Sequence, residues 1–337
     1  MITKMRLDRQ FRCAKIILFA ALSLSMIVFF GELRIRGADF LIIYNAVRSW
    51  PTTALYRSGG HFFLMPWGLL LYLPLTLLPV VYAQAALGVG GILCWLRGMR
   101  LLWRDTPGWC IMLAFLPAMS ILLVGNYDII LAGALALTWW AIRSGKSVIA
   151  ASGLWLLSIK PINVIVPAFV LLHALWQRPW RERLIVVGPV MLSLVASLVV
   201  DWRWPILYLE QAAISQPYQV TQQYQFGMWQ ILGMLGWLLN RHWLVALPVL
   251  LLVGSIFLWV KPSQLVLAVG TAMGLLLSPY VMGKHLFLLS IFVPMMGIPL
   301  MLMWSILPLL GMMGLGGYKA ILPLCMLKVV WFKETNG

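Results

Sequence analysis

Residues 178–204 read RPWRERLIVVGPVMLSLVASLVVDWRW. Arg178, Arg181 and Arg183 stand at one end, Leu184–Val200 carries no charged side chain, and Asp201 and Arg203 follow between tryptophans. The apolar run is continuous rather than alternating. Inside hydrocarbon every backbone N–H and C=O must be satisfied within the protein, so a continuous run of this length is read as a spanning helix. The arginines mark its cytoplasmic end, because Lys and Arg accumulate in short cytoplasmic loops.

The rest of the chain repeats this pattern. Of 337 residues, 62% are hydrophobic and 10% are charged, against roughly 25% charged in soluble domains. Mean hydropathy is +0.94. Uncleaved after Phe29-Phe30-Gly31-Glu32, a first helix runs over Ile16–Phe30 behind Lys4, Arg6, Arg9, Arg12 and Lys15. Further spans are read at Val81–Leu96, Trp109–Val124, Ile129–Ile142, Ser147–Ile159, Ile162–Trp176, Leu184–Val200, Trp243–Val260, Gln264–Leu277 and Leu286–Trp304. Gly227–Leu239 reads as an outer surface helix; Ser305–Gly317 and Ala320–Phe332 stay open. The expected fold is an all-α polytopic bundle of about ten to twelve membrane helices in one domain, residues 1–337. Residues 32–80 and 201–242 form two long outer loops, and the N-terminus is cytoplasmic. Pro66, Pro74 and Pro79 break the first loop, leaving Leu64–Leu78 juxtamembrane or re-entrant.

The formal net charge of +16 is topogenic in this setting and implies no nucleic acid. Cys13, Cys94, Cys110 and Cys325 form no CxxC pair and read as buried or membrane thiols. No Walker loop, HExxH, GxSxG or Asp-x-Asp occurs, so nucleotide hydrolysis and zinc chemistry are set aside. No cofactor is expected, although a divalent metal stays open. The 18 tryptophans are mainly interfacial anchors.

Polar residues gather on the expected outer face: Glu32, Asp39, Tyr44, Arg48, Tyr56, Arg57 and His61, then Asn126 and Asp128, Lys160, Asp201 and Glu210, and Lys284 and His285. Ionisable groups at a membrane are costly and by default indicate function. Asp39 opens the helical stretch Asp39–Val47, either as its cap or as a chemical group; Tyr44 and Arg48 follow four apart on one face. Ser147–Ile159 measures roughly 20 Å at about 1.5 Å per residue, shorter than the ~30 Å hydrocarbon core. The Lys160-Pro161 turn therefore lies below the outer surface, in protein or in a wet cavity. Pro161 suits the first position of the next helix, whose N–H groups favour an anion. Lys160 is accordingly either a phosphate seat or an interfacial anchor. His285 is either a phosphate donor or a helix start.

At these residues a resemblance emerges. Residues 37–79, GADFLIIYNAVRSWPTTALYRSGGHFFLMPWGLLLYLPLTLLP, resemble the opening signature of glycosyltransferase family 87 in Asp39, Phe40, Tyr44, Ala46, Tyr56, Pro66, Pro74-Leu75 and Leu78-Pro79. Residues 124–181, from Val124-Gly125-Asn126 through Lys160-Pro161 to Arg181, are similar to its second block, with Gly-Gln-x-Asn reduced to Gly125-Asn126. Residues 275–294 resemble its late Ser-Pro block. The resemblance implies a GT-C fold and a mannosyltransferase-like enzyme of the cytoplasmic membrane, its site facing outward. Its donor would be a polyprenyl-phosphate sugar, its acceptor a lipid or glycan, and the transfer inverting. It implies Asp39 as catalytic base. Tyr44, Arg48, Tyr56, Arg57, Asn126, Asp128, Lys160, Lys284 and His285 are then the candidates for holding substrate or donor phosphate. Nucleotide-sugar donors would need a cytoplasmic site, and the inner loops are short and mostly basic. The rival reading is a lipid-linked-sugar flippase or secondary transporter, for which short helices at mid-depth also suit.

Overall fold

The computed structural model describes residues 21–34, 36–50, 56, 64–103, 118, 121–122, 125–210, 243–277 and 283–295. Among these residues all regular structure is helical. In chain order the helices are α1 Ala21–Glu32, α2 Ala38–Ser49, α3 Gly68–Tyr72, α4 Val80–Leu102, α5 Asp128–Arg143 and α6 Ser147–Ser158. They continue with α7 Ile165–Trp176, α8 Trp180–Val200, α9 Trp243–Ile256 and α10 Gln264–Leu277. Three 3-10 segments, Leu73–Leu77, Pro161–Asn163 and Gly283–Met295, join or extend them. The expected span at Trp109–Val124, the expected surface helix Gly227–Leu239 and everything expected beyond residue 295 fall wholly or mainly outside the described residues.

Among the described residues, two helices, α4 and α8, are long and apolar enough to cross a membrane. They differ in what surrounds them. α4 packs against α5, and α5 in turn against α6 and the 3-10 segment Gly283–Met295. Small residues permit this close approach: a Cβ added at Gly133 of α5 would stand 2.6 Å from the Cys94 carbonyl carbon of α4. Backbone-to-backbone contact of this kind gains van der Waals energy from close packing. Trp95 of α4 donates to Ser290 at 2.8 Å and Trp103 to the Ile291 carbonyl at 2.7 Å, fixing the late 3-10 segment on α4. α7 sits between α9 and α10, and His173 Nδ1 donates to the Phe257 carbonyl at 3.1 Å. α8 packs mainly on α6, where Trp155 donates to Ser193 at 2.9 Å, and also touches α7. Only Val186 of α8 is buried, and Leu184, Leu192, Val199 and Val200 are exposed.

The polar segments depart from the expectations in two places. Asp39 does not cap α2; Gly37 occupies that position in extended geometry, with no side-chain cap, and Asp39 lies in the first turn. There its charge favours the helix dipole without bonding the helix end. Pro161 does not open the next helix either. It begins a 3-10 turn, and α7 starts at Ile165. Pro167 supplies the reason. A helix begun at Pro161 would place Pro167 in its interior, clashing with the Asn163 carbonyl. Starting at Ile165 puts Pro167 in the first turn, where its missing N–H costs nothing.

Candidate functional site

The site begins with a neutral residue inside an apolar helix. Gln84 of α4 is buried; its Oε1 accepts from the Gly37 N–H at 2.8 Å and its Nε2 donates to the Leu122 carbonyl at 3.0 Å. One side chain thereby joins the start of α2 to the segment preceding α5. Gly125 lets the two backbones meet. Its φ is +70°, and a Cβ there would lie 2.5 Å from the Cβ of Phe40. A left-handed φ and this approach together require glycine.

That contact brings Asp39 to Asn126. Asn126 Nδ2 donates to Asp39 Oδ2 at 2.6 Å, and Asn126 Oδ1 accepts the Asp128 N–H at 2.9 Å. The second bond is an Asx turn, satisfying a backbone donor that the first turn of α5 leaves open. Lys160 Nζ then donates to Asp128 Oδ1 at 2.8 Å. Asp128 is 0% exposed and Lys160 8%, whereas Asp39 is half-buried. Four side chains from three separate stretches thus form one chain: Asp39, Asn126, Asp128, Lys160. The Lys160 turn, as the length of α6 requires, lies inside protein.

Tyr72 closes the cluster from α3. It is fully buried and stacks on Phe40, ring centroids 6.0 Å apart. Burial first, and then the charges of Asp39 and Asp128, push its phenol far above the usual range. Asn163, three residues past Lys160, is 0% exposed, and both ends of its amide lack a hydrogen-bond partner among the described residues. Gln84, Tyr72 and Asn163 were not singled out in the sequence. Gln84 had a legible signal as an amide within the apolar run Val81–Leu96; Tyr72 and Asn163 had none.

The remaining sequence candidates separate. Tyr44 is buried, its hydroxyl donating to the Leu78 carbonyl at 2.7 Å, and Tyr56 donates to the Leu64 carbonyl at 2.8 Å. Both hydroxyls hold loop backbone. Tyr56 also meets Tyr208 edge-on at 5.8 Å, and burial pushes the Tyr208 phenol up to about 12. Arg48 is exposed on α2. Arg57 and His61, and the side chains of Lys284 and His285, lie outside the described residues; the backbone of Lys284 and His285 opens the late 3-10 segment. Asp201 pairs with Arg203 at 3.4 Å on the surface, and Glu32 accepts from Tyr82. Among the described residues no three His, Cys, Asp or Glu side chains converge.

An apolar groove of about 630 Å³ is lined among others by Trp50, Trp67, Leu70, Leu192, Val200 and Trp204. The Trp67 indole donates to Ser158 at 3.0 Å, and the Met65 N–H donates to the Ile159 carbonyl at 2.8 Å. Ser158 and Ile159 directly precede Lys160, so the Lys160 turn is bonded to the segment that carries Trp67, one of the residues lining the groove. A partly accessible carboxylate beside buried charges and an adjoining greasy slot can hold an amphiphile and take up a proton.

The sequence model of glycosyltransferase family 87 matches residues 62–279. Asn126, Asp128 and Lys160 fall within that stretch, and Asp39 precedes it. No curated protein and no solved structure matches the chain.

Proposed function

The chain belongs to glycosyltransferase family 87, and from that premise we propose that it transfers a sugar, mannose or another hexose or pentose, from a polyprenyl-phosphate donor to a lipid or glycan hydroxyl. The reaction takes place at the outer face of the cytoplasmic membrane, within a polytopic GT-C bundle. The observation that carries this reading is the half-buried Asp39 carboxylate, held by Asn126 at 2.6 Å in one bonded series with Asp128 and Lys160.

The acceptor hydroxyl gives its proton to Asp39, and its oxygen attacks the anomeric carbon. The bond from that carbon to the phosphate oxygen breaks, and the electron pair leaves with the lipid phosphate, inverting the anomeric centre. Such a leaving group is already acidic. It calls for cations rather than a general acid; Arg57, Lys284 and His285 are the candidates, Lys160 being engaged by the buried Asp128. The apolar groove suits the prenyl chain. The exposed apolar surface of α8 supports membrane residence, because monomeric soluble proteins rarely expose patches of this size.

Two measurements test the proposal. Purified protein in detergent, with no gradient, consumes a polyprenyl-phosphate sugar and releases polyprenyl phosphate when acceptor is present. A protein that moves the intact lipid across vesicles without cleaving it is instead a carrier. For orientation, cysteines placed at Ser58 and Gln216 label from outside intact cells, and one at Ser144 does not. Labelling at Ser144 but not at Ser58 would invert the map.

A further inference from the structure

We propose that Asn126 is a positioning residue for the Asp39 carboxylate, and that Lys160 acts on Asp39 through Asp128 and Asn126 rather than by touching the donor. This rests on the reading of Asp39 as base.

The argument starts from the two ends of one amide. Asn126 Oδ1 accepts the Asp128 N–H at 2.9 Å, and Nδ2 donates to Asp39 Oδ2 at 2.6 Å. A flipped amide would set oxygen against the carboxylate and NH₂ against the backbone N–H, losing both bonds. Asn126 therefore has a single orientation, fixed by the backbone of α5, and it delivers a donor to one oxygen of Asp39. A half-buried carboxylate in the first turn of α2 gains from this a fixed direction.

Charge explains the other half of the chain. Two carboxylates flank the Asn126 amide, and like charges so placed disfavour each other's ionised forms. Asp128 is fully buried, where an uncompensated charge is costly. The Lys160 ammonium at 2.8 Å compensates Asp128. The cluster of Asp39, Asp128 and Lys160 then carries one net negative charge, and Asp39 is its accessible carboxylate. Among the described residues, the other helical elements packed on α2 bring no further formal charge to this position. The 3-10 turn Leu73–Leu77 has no titratable side chain, α3 supplies the neutral Tyr72 phenol, and α4 supplies the uncharged Gln84, with Tyr82 bonded to Glu32.

Three variants test this alongside Asp39→Asn. Asn126→Ser keeps a side-chain oxygen for the Asp128 N–H but removes the donor to Asp39, so the start of α5 survives. It is expected to lower kcat by roughly 10–100-fold, the scale of misplacing a catalytic group, with the KM for polyprenyl-phosphate sugar within about two-fold of wild type. Lys160→Met leaves Asp128 uncompensated. The ionised form of Asp39 is then disfavoured and the acid limb of the kcat–pH profile moves to higher pH, with donor KM unchanged. Lys160→Arg, which keeps the charge, restores the limb. A rise of tenfold or more in donor KM for Lys160→Met, with the limb unmoved, overturns the inference and makes Lys160 a donor-phosphate contact. An inactive Asp39→Asn beside an Asn126→Ser with unaltered kcat overturns this inference alone. A fully active Asp39→Asn overturns the base reading and this inference with it. Thermal unfolding of each purified variant separates loss of fold from loss of rate. If Lys160→Met does not fold, the Asn126→Ser result decides.

Discussion

Asp39→Asn is expected to lower sugar transfer by roughly 10²–10⁴-fold, the range for losing a general base, while leaving insertion and thermal unfolding close to wild type. The structural cost is small for identifiable reasons. Gly37, not Asp39, is the N-cap of α2, so no cap is removed. An asparagine at this position retains an oxygen able to accept from Asn126 Nδ2, which now donates to Asp39 at 2.6 Å. What disappears is the charge and the capacity to take a proton. The measurement pairs initial rates with a melting curve on one preparation. A well-folded variant with near-normal transfer would move the base to Asp128 or Asp201. Of these, Asp128 is fully buried and bonded to Lys160, and Asp201 is on the surface with Arg203.

Asp128→Leu is the variant expected to damage the fold most. It removes the partner of a buried ammonium, and stranding one member of a buried pair costs about 3–5 kcal/mol. It also takes away the carboxylate that faces Lys160, releasing the turn between α6 and α7 and the α3 segment joined to it at Met65 and Trp67. The expected result is a strongly lowered melting temperature in detergent, accompanied by loss of transfer. The double variant Asp128→Leu/Lys160→Met is expected to recover most of the stability, because two apolar side chains strand no charge. Its transfer should remain low, since the counter-charge arrangement behind Asp39 is gone. An Asp128→Leu protein within about 0.5 kcal/mol of wild type, as an ordinary surface change would be, would contradict the pairing.

The two variants also show why the site was only partly legible in the sequence. Asp39, Asn126, Asp128 and Lys160 could each be selected as polar residues between apolar runs, and each could be placed at one end of the helices. That they make one bonded chain could not be read, because the four come from stretches up to 121 positions apart. Gln84, which brings Gly37 and Leu122 together, sits in a run whose apolar character conceals it. The roles of Tyr44 and Tyr56 likewise depend on where the Leu78 and Leu64 carbonyls fall.

By itself the sequence determined that the chain is helical, where several of its helices lie, and which family it belongs to. Continuous apolar runs bounded by arginine, lysine, glycine and proline allow little else, so Gln264–Leu277 is the same in both readings and Ile129–Ile142 extends by one residue at each end. Local rules also fixed the start of α7, once Pro167 rather than Pro161 is taken as the constraint. Tertiary structure alone decided that Asp39 meets Asn126 instead of capping α2, that Lys160 is held by Asp128, and that Trp67 of the apolar groove is bonded to the turn before Lys160. Hydropathy is a property of each segment and survives in any arrangement of the helices. A hydrogen bond at 2.6 Å depends on how two backbones approach, and here that approach rests on the absence of a Cβ at Gly125 and the two-ended reach of Gln84.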